Sequence, residues 1–324
     1  MKVVLPGGSG HLGQLIARAC VARGDDVVVL SRGQQPAAQS PDPGPRVVSW
    51  DGRTLGAWAA EVDGADVLFN LAGRSVNCRY TPANRREILE SRLASTRVLG
   101  DAAARARRPP RIWLQSSTAT IYAHRYDAAN DEIHGVLGGQ EPRAPETWRF
   151  SIDVATSWER AFGALTLPST RRLLLRTAIV MHTLPGGAFD VLLGLVRRGL
   201  GGTSGDGRQF VSWIHADDFV RVVQWLIDRP DLEGIVNLAS PGPLPNADFM
   251  RAIREAWGAS AGLPSPAWLL EIGALFLRTE TELVLKSRRV VSTRLADEGF
   301  EFLWQHWPTA ASDLVRQIRG RRRN

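Results

Sequence analysis

The feature that most constrains the fold is a glycine-rich turn between two apolar segments. Gly7, Gly10 and Gly13 follow a predicted strand at residues 2–5, and residues 14–23 carry apolar side chains at helical spacing. Glycines at this spacing let the backbone approach a pyrophosphate, whose charge then lies at the N-terminus of the helix. The pattern therefore predicts a dinucleotide-binding strand–turn–helix unit.

Apolar segments alternate with helical patterns after this unit. Residues 26–30 end in an unbroken apolar run, which is typical of a strand covered by helices on both faces. A long helical pattern opens at Thr81 and Pro82, since Thr can cap a helix and Pro suits its first position. Further strands are predicted at 46–49, 66–71, 111–115 and 172–180. This alternation predicts an α/β fold with a doubly wound parallel sheet, a Rossmann fold.

The pattern changes after about residue 181. A glycine-rich stretch at 199–207 precedes a predicted strand at 210–214, and three prolines at 240–245 indicate a linker. A helix at 217–227 and a strand at 234–238 are expected to return to the main sheet. Further helical patterns lie at 248–257, 266–278 and 280–285. We therefore predict a Rossmann domain at 1–181, completed by 216–240, and a smaller, mostly helical cap at 182–215 and 241–324.

The composition excludes a disordered, a collagen-like and a disulfide-framework protein. With 44% hydrophobic and 23% charged residues, the chain is of ordinary globular composition. Cys20 and Cys78 lack CxxC spacing and the six histidines lack HxxxH or HExxH spacing, so no metal site is predicted. The sequence also lacks the GxSxG motif of serine hydrolases and any run of 18 apolar residues. We expect a cytoplasmic protein in a reducing compartment that does not span a membrane.

The formal net charge is +7, and a basic tail occupies residues 316–323. Without interleaved aromatic residues or a nucleic-acid-binding signature, the tail is expected to be a frayed, solvated terminus rather than a nucleic-acid contact. The long helix that starts at Pro82 leaves a homodimer open as an alternative to simple coverage of the sheet.

The residues at the end of the second strand discriminate between dinucleotides. An NAD-binding unit places a carboxylate there for the ribose 2′-hydroxyl, whereas a 2′-phosphate requires a cation. Ser31 and Arg32 occupy this place, and the next carboxylate is that of Asp42. NADP(H) is therefore the predicted cofactor, with a merely solvated arginine as the alternative.

Three motifs together resemble those of the extended short-chain dehydrogenase/reductases. They are Gly7 to Gly13 (Gly-Gly-Ser-Gly-His-Leu-Gly), Asn70-Leu71-Ala72-Gly73 and Ser116-Ser117-Thr118-Ala119-Thr120-Ile121-Tyr122. The chain is more closely similar to an atypical epimerase-like group, known as NAD-dependent epimerases or cell-division inhibitors. The most specific segment for that group is Gly-Arg-Gln-Phe-Val-Ser-Trp-Ile-His-Ala-Asp-Asp at 207–218.

The resemblance implies roles for individual residues. Arg79, Tyr80 and Trp213 are expected on the substrate side of a cleft. Thr118 falls where relatives hold the substrate oxygen. Glu87 and Arg92 are expected to reach the dinucleotide from the long helix, although a surface ion pair is the alternative. The implied cofactor contacts are Gly7, Gly8, Ser9, Gly10, His11, Leu12, Gly13, Ser31, Arg32, Leu71, Ala72, Gly73, Glu87, Arg92, Ser116 and Val180.

The chain departs from this family at the catalytic pair. Typical members carry Tyr-x-x-x-Lys, in which the lysine lowers the pKa of the tyrosine so that it can transfer a proton. Alignment on Trp158-Glu159 puts Ser151 and Ala155 at these two positions, and no such pair exists elsewhere in the chain. His215 has an intrinsic pKa suited to proton transfer and is a candidate catalytic residue, but it could also simply cap the helix that follows.

Two function classes fit these observations. The first is an NADP(H)-binding oxidoreductase or epimerase-like enzyme that transfers hydride to or from an unknown carbonyl or alcohol substrate, with Thr118 orienting the substrate oxygen. The second is a non-catalytic NADP(H)-binding sensor or regulatory protein. The lost Tyr-x-x-x-Lys pair leaves the choice open, since the glycine turn and Ser31-Arg32 serve both.

Overall fold

The computed structural model describes residues 1–33, 44–141, 144–264 and 285–321. Eleven strands lie in these ranges: β1 (Lys2–Pro6), β2 (Asp26–Ser31), β3 (Arg46–Ser49), β4 (Val67–Asn70), β5 (Ile112–Thr118), β6 (Arg171–Thr177), β7 (Ile179–Met181), β8 (Phe210–Val211), β9 (Trp213–His215), β10 (Gly234–Leu238) and β11 (Leu244–Pro245). The helices are α1 (His11–Ala22), α2 (Pro82–Arg105), α3 (Glu146–Gly163), α4 (Ala188–Arg197), α5 (Ala216–Asp228), α6 (Asn246–Trp257), α7 (Thr293–Asp297) and α8 (Trp307–Arg321), with 3₁₀ turns at Ala57–Glu61 and Ala119–Ile121.

Seven parallel strands form the main sheet in the order β10-β6-β5-β4-β1-β2-β3. Separate apolar clusters cover its two faces, since alternate residues of one strand, such as Val3 and Val4, enter different clusters. This confirms the predicted doubly wound Rossmann fold. The strand order reverses between β1 and β4, which is where such sheets open a crevice at their carboxyl edge.

The glycines of the first turn are required by close packing. A Cβ atom on Gly13 would lie 2.3 Å from the Cα of Gly8, so any side chain there would push α1 away from β1. Gly7 has a φ of +76°, and a Cβ there would lie 2.8 Å from the backbone of Ala72. The turn is therefore held against the ends of both β1 and β4.

A third apolar cluster forms the core of the smaller C-terminal part. It joins α4, α6 and α8 around Phe189, Trp213, Phe249 and Trp307. The rings of Phe249 and Trp307 are stacked with centroids 4.1 Å apart. The mostly helical character predicted for this part is therefore observed in its described residues.

The structure differs from two strand predictions. The strand expected at 172–180 is broken at Ala178, whose N–H donates to the carbonyl of Leu238, so that β6 stays in the main sheet and β7 pairs with β9. The strand expected at 210–214 is likewise split, because β8 pairs with β11 while β9 pairs with β7. The expected linker at 240–245 thus contains a short strand.

The described part of the basic tail is not frayed. Its residues as far as Arg321 belong to α8, where Arg316 pairs with Asp313. Arg319 donates to the carbonyl of Trp257, and Arg321 donates to that of Thr183. The helical pattern at 266–278, nearly all of that at 280–285, and residues 34–43 lie outside the described residues. Over the ranges that are described, no helix combines the length and the hydropathy needed to cross a bilayer.

Candidate functional site

A cleft of about 330 Å³ opens at the carboxyl edge of the sheet, beside the reversal between β1 and β4. The glycine turn, the ends of β4, β5 and β6, and the facing sides of α2 and α3 form its walls. The residues that line it are Gly7, Gly10, His11, Leu12, Gly13, Leu71, Val76, Tyr80, Ile88, Arg92, Ser116, Ser117, Thr118, Thr120, Phe150, Ser151, Val154, Ala155, Trp158 and Thr177. Many predicted cofactor and substrate residues therefore meet in one place.

The glycine turn has room for a phosphate group. A Cβ on Gly10 would meet only the carbonyl oxygen of Gly7, at 3.5 Å, so the exposed side of the turn is open. Gly10 also precedes the first residue of α1, where backbone N–H groups and the helix dipole favour an anion. Gly8 packs behind the turn against Leu5, and Ser9 does not line the cleft.

The end of β2 carries the residues predicted to select the dinucleotide. Ser31 is buried, and its hydroxyl donates to that of Ser9 at 3.3 Å and accepts the N–H of Gly33 at 3.4 Å. Arg32 is exposed beside this pair. A hydroxyl tied to the glycine turn and an exposed guanidinium next to it suit a ribose 2′-phosphate.

The residues after β4 hold the turn and the wall of the cleft together. The side-chain carbonyl of Asn70 accepts the N–H of Ala72 at 3.0 Å, and its amide donates to Gln115 at 3.1 Å. Leu71 lines the cleft, whereas Ala72 supports Gly7, and Gly73 lies against the side chain of Arg92. Of this predicted cofactor segment, Leu71 faces the site directly.

The two predicted residues on α2 have different surroundings. Arg92 lines the cleft, with its guanidinium 5.1 Å from the Trp158 ring and hydrogen bonds to the carbonyls of Arg74 and Ile88. Burial lowers the pKa of Arg92 to about 10, so that it remains a cation at neutral pH. Glu87 is half-exposed, pairs with Arg74 at 2.7 Å and does not line the cleft, which fits the alternative of a surface ion pair.

Three hydroxyls end β5 at the cleft: those of Ser116, Ser117 and Thr118. The Thr118 oxygen accepts the N–H of Thr120 at 3.1 Å and remains half-exposed, so its hydrogen can be directed at a bound oxygen. Ser117 instead donates to Glu159 at 2.5 Å. The Thr118 hydroxyl therefore lies at the cleft, where it can contact a bound oxygen, and Ser117 belongs to a second group of residues.

That second group is a buried chain of polar contacts, which we call the Glu159–Tyr122 chain. Glu159 accepts two hydrogen bonds from Arg176, which also donates to the phenol oxygen of Tyr122 at 3.0 Å. Tyr122 donates to Asn237 at 2.9 Å, and burial raises the pKa of this phenol. The sequence does not predict this chain, although Glu159 belongs to the Trp158-Glu159 pair used above for the alignment.

The two positions of the missing catalytic pair both face the cleft. Ser151 and Ala155 line it from α3. The phenol oxygen of Tyr80 lies 3.5 Å from the hydroxyl oxygen of Ser151, and its ring packs edge-on against Phe150 at 5.0 Å. A tyrosine from another part of the chain therefore stands beside the position where relatives keep theirs. Its neighbour Arg79 is half-buried and does not line the cleft.

Three further predicted residues have buried side chains that do not line the cleft, which corrects the catalytic and substrate roles expected for His215 and Trp213. His215 is fully buried: its Nδ1 accepts the N–H of Asp217 as the cap of α5, and its ring packs on Trp304 at 4.8 Å. Trp213 is fully buried and donates to the carbonyl of Gly242, as part of the C-terminal core. Val180 belongs to the main core. For His215 the structure therefore fits the alternative of a helix cap.

His215 also belongs to the one group of side chains in the described ranges that could hold a metal ion, together with Asp217 and Asp313. Its Nδ1 is a hydrogen-bond acceptor, so the neutral ring carries its proton on Nε2, which faces the Asp313 carboxylate at 3.5 Å. Burial lowers the pKa of His215, so the neutral ring is the favoured form. Nε2 is buried and makes no hydrogen bond of standard geometry in the described structure, although it lies near this carboxylate of α8.

The chain is similar to known proteins of the epimerase family. The sequence profile of the NAD dependent epimerase/dehydratase family matches residues 3–139, and a domain of unknown function (DUF1731) matches residues 265–314. The bovine (Bos taurus) epimerase family protein SDR39U1 is 30% identical over 319 residues, which cover 97% of this chain and all of the relative.

Solved structures extend the comparison to the fold. The crystal structure of human epimerase family protein SDR39U1 (isoform 2) with NADPH is 28% identical, with a TM-score of 0.82 over 98% of this chain and 99% of the other. UDP-N-acetylglucosamine 4-epimerase from Bacillus cereus has a TM-score of 0.74 over 99% of this chain and 100% of its own, at 16% identity. The second likeness concerns the fold alone.

Proposed function

Because the chain belongs to the epimerase family, the NAD-dependent epimerases and dehydratases, we propose that it is an NADP(H)-dependent oxidoreductase or epimerase-like enzyme. It would transfer hydride to or from a carbonyl or alcohol carbon of a small substrate. The observation that carries this proposal is that the open glycine turn and the half-exposed hydroxyl of Thr118 meet in one cleft. A cofactor and an oxygen-bearing substrate can lie next to each other there.

The choice of NADP(H) over NAD(H) rests on the end of β2. Arg32 is exposed beside the Ser31–Ser9 pair, where a carboxylate would repel a 2′-phosphate. The human relative with 28% identity was crystallised with NADPH. When bound, this cofactor supplies or takes up a hydride at its nicotinamide ring.

The residues of the chain would bind the cofactor, orient the substrate and exclude water. The glycine turn and α1 receive the pyrophosphate, and Thr118 holds the reacting oxygen. Apolar side chains from α2 and α3, including Ile88 and Val154, line the opposite wall and exclude water from the reacting atoms. The proposed chemistry therefore needs one further group in the cleft, a proton donor.

Titration with NADPH and NADH tests the proposal, with energy transfer from tryptophan as the signal, since the chain has 11 tryptophans. We expect tighter binding of NADPH, and a loss of that preference in Arg32→Asp. Arg18→Asp changes charge equally at another exposed arginine and serves as the control. NADPH oxidation against a panel of aldehydes and ketones then tests catalysis, and Thr118→Val should reduce any turnover. Failure of both nucleotides to bind would overturn the proposal.

A non-catalytic NADP(H) sensor is the second candidate. It is favoured by one observation, the presence of Ser151 and Ala155 where relatives keep the catalytic tyrosine and lysine. In that case NADPH would bind and no carbonyl would be reduced. A Thr118→Val variant that binds NADPH as the wild type does, with no turnover in either protein, is the result this candidate expects.

A further inference from the structure

We propose that Tyr80 is the proton donor and acceptor of the reaction, and that Arg92 stabilises its deprotonated form, so that the two replace the missing tyrosine–lysine pair. The inference rests on the proposed function, because it assigns the proton step of the same cleft. It concerns residues from a loop and from α2, whereas relatives carry both members of the pair on the helix equivalent to α3.

The reaction sets the requirement. A carbonyl that gains hydride at carbon must gain a proton at oxygen, and Thr118 alone is a poor donor because its hydroxyl has a pKa far above neutral. Ser151 has the same deficiency, and Ala155 has no ionisable group. His215 is buried in its cap. Tyr80 is the tyrosine that lines the described cleft.

The position of Tyr80 suits proton transfer. Its phenol oxygen lies 3.5 Å from the hydroxyl of Ser151, at the place of the lost tyrosine. The side chain is only 8% exposed, and its ring is fixed by Phe150, Ile88 and Val154. A phenol held by apolar neighbours beside Ser151 is oriented before a substrate binds.

Arg92 provides the positive charge. It lines the same cleft, and its described hydrogen bonds go to two backbone carbonyls, which are dipoles and do not neutralise the guanidinium. Burial lowers the pKa of Arg92, and an attraction between Arg92 and Tyr80 partly opposes that effect. The same attraction must favour the tyrosinate over the phenol.

Two further arginines, Arg79 and Arg85, lie near Tyr80. From α2, Arg85 donates to the Tyr80 backbone carbonyl at 2.9 Å and pairs with Glu146 of α3 at 2.8 Å. Arg79 precedes Tyr80 on the same loop, and its carbonyl accepts from Asn84. Neither of these arginines lines the cleft, whereas Arg92 lines it together with Tyr80.

The step balances as follows for reduction of a carbonyl. A hydride from NADPH forms the new C–H bond, leaving NADP⁺, while the C=O π electrons take the phenol proton of Tyr80 to form the O–H bond. The products are an alcohol and a tyrosinate stabilised by Arg92. The tyrosinate regains its proton from water. Oxidation of an alcohol follows the same path in reverse.

The test measures the ionisation of Tyr80 directly. The chain has three tyrosines, so protein carrying tyrosine labelled with ¹³C at Cζ gives three NMR signals that Tyr80→Phe and Tyr126→Phe assign. We expect the Tyr80 signal to titrate below the ordinary tyrosine pKa of about 10 in the presence of NADP⁺. Arg92→Gln should raise that pKa by at least one unit, and Arg92→Lys should keep it low. A Tyr80 pKa at or above about 10 in the wild type overturns the inference.

Kinetics provide the second readout. For any carbonyl that the wild type reduces, Tyr80→Phe should lower kcat at least about 100-fold with little change in KM. Tyr126→Phe, at an exposed position outside the cleft, should stay within two-fold of the wild type. Tyr80→Phe should bind NADPH as the wild type does. Failure of the wild type to bind NADPH would count against the proposed function, on which this assignment rests. Full activity of Tyr80→Phe would contradict the assignment alone.

Discussion

The carboxylate of Glu159 and the guanidinium of Arg176 meet in a two-point contact, with N–O distances of 3.0 and 2.7 Å. Ser117 donates to the same carboxylate from the wall of the cleft. Both charges are nearly removed from water, with side-chain exposures of 12% and 7%. Removing one partner of such a pair lowers the free energy of unfolding, because the remaining charge is still buried away from water.

We therefore expect Glu159→Gln to lower the free energy of unfolding by about 3 kcal/mol. The matched control is Glu146→Gln, which breaks the pair with Arg85 at a side chain that is 81% exposed. That change should cost less than about 1 kcal/mol. Urea denaturation followed by tryptophan fluorescence measures both. Equal losses in the two variants would mean that the buried pair has no special weight.

Gly13→Ala and Gly10→Ala should separate the structural and binding roles of the turn. The first places a Cβ 2.3 Å from the Cα of Gly8, so we expect a loss of about 1–3 kcal/mol in stability. The second meets nothing closer than 3.5 Å, and Gly10 has a φ of −73° that alanine adopts easily. Gly10→Ala should therefore fold normally and bind NADPH more weakly. Thermal melting and nucleotide titration of both variants decide, and a stable Gly13→Ala would contradict the packing.

His215→Asn should affect stability and leave nucleotide binding unchanged. Asparagine can still accept the N–H of Asp217 as a helix cap, but it loses the ring that packs on Trp304. We expect a loss of about 1–3 kcal/mol in the free energy of unfolding, with the Kd for NADPH within two-fold. A large change in Kd at unchanged stability would return His215 to the functional site.

His182 should make the fold sensitive to acid. Burial, and next the neighbouring His11, lower the pKa of His182 to about 4. In the unfolded chain this histidine has the ordinary pKa near 6.5. Above about pH 6.5 the ring is neutral in both states, so His182 does not lower the free energy of unfolding. As pH falls towards 4, the unfolded chain binds a proton that the folded chain does not. The free energy of unfolding therefore falls, by about 3 kcal/mol in all.

Urea denaturation at pH 7 and at pH 4.5 measures this effect. His182→Asn keeps an acceptor for the N–H of Leu184 but cannot titrate, so its stability should change less between the two conditions. His134→Asn, at a side chain that is 79% exposed, should follow the wild type. An identical pH dependence in His182→Asn and the wild type would show that the acid sensitivity has another source.

The sequence was sufficient for the main sheet, because strands buried on both faces, such as β2, read as apolar runs with clear ends. It could not show the break at Ala178. The residues on either side favour a strand equally, and the break depends on which strand each half meets: β10 for one and β9 for the other. The break at Ala178 is thus set by pairing with strands that are distant in sequence.

The candidate site was predictable where a local motif creates the geometry, as in the glycine turn and the Ser116–Thr118 strand end. His215 and Trp213 belong to an equally specific motif, but they are covered by Trp304 and Trp307, about 90 residues further along the chain. No local pattern reveals such a cover. The Glu159–Tyr122 chain was missed for a related reason, since its members lie on separate elements and meet only in the folded protein.

Strand β10 closes one edge of the main sheet by pairing with β6, from Gly234 beside Leu173 to Leu238 beside Thr177. During synthesis β6 precedes β10, and about sixty residues lie between the two strands. During that interval β6 presents an unpaired row of backbone groups and an apolar face. A chain cut after Met181 would keep this open edge permanently, and would tend to add strands from other molecules instead of existing as a separate nucleotide-binding half.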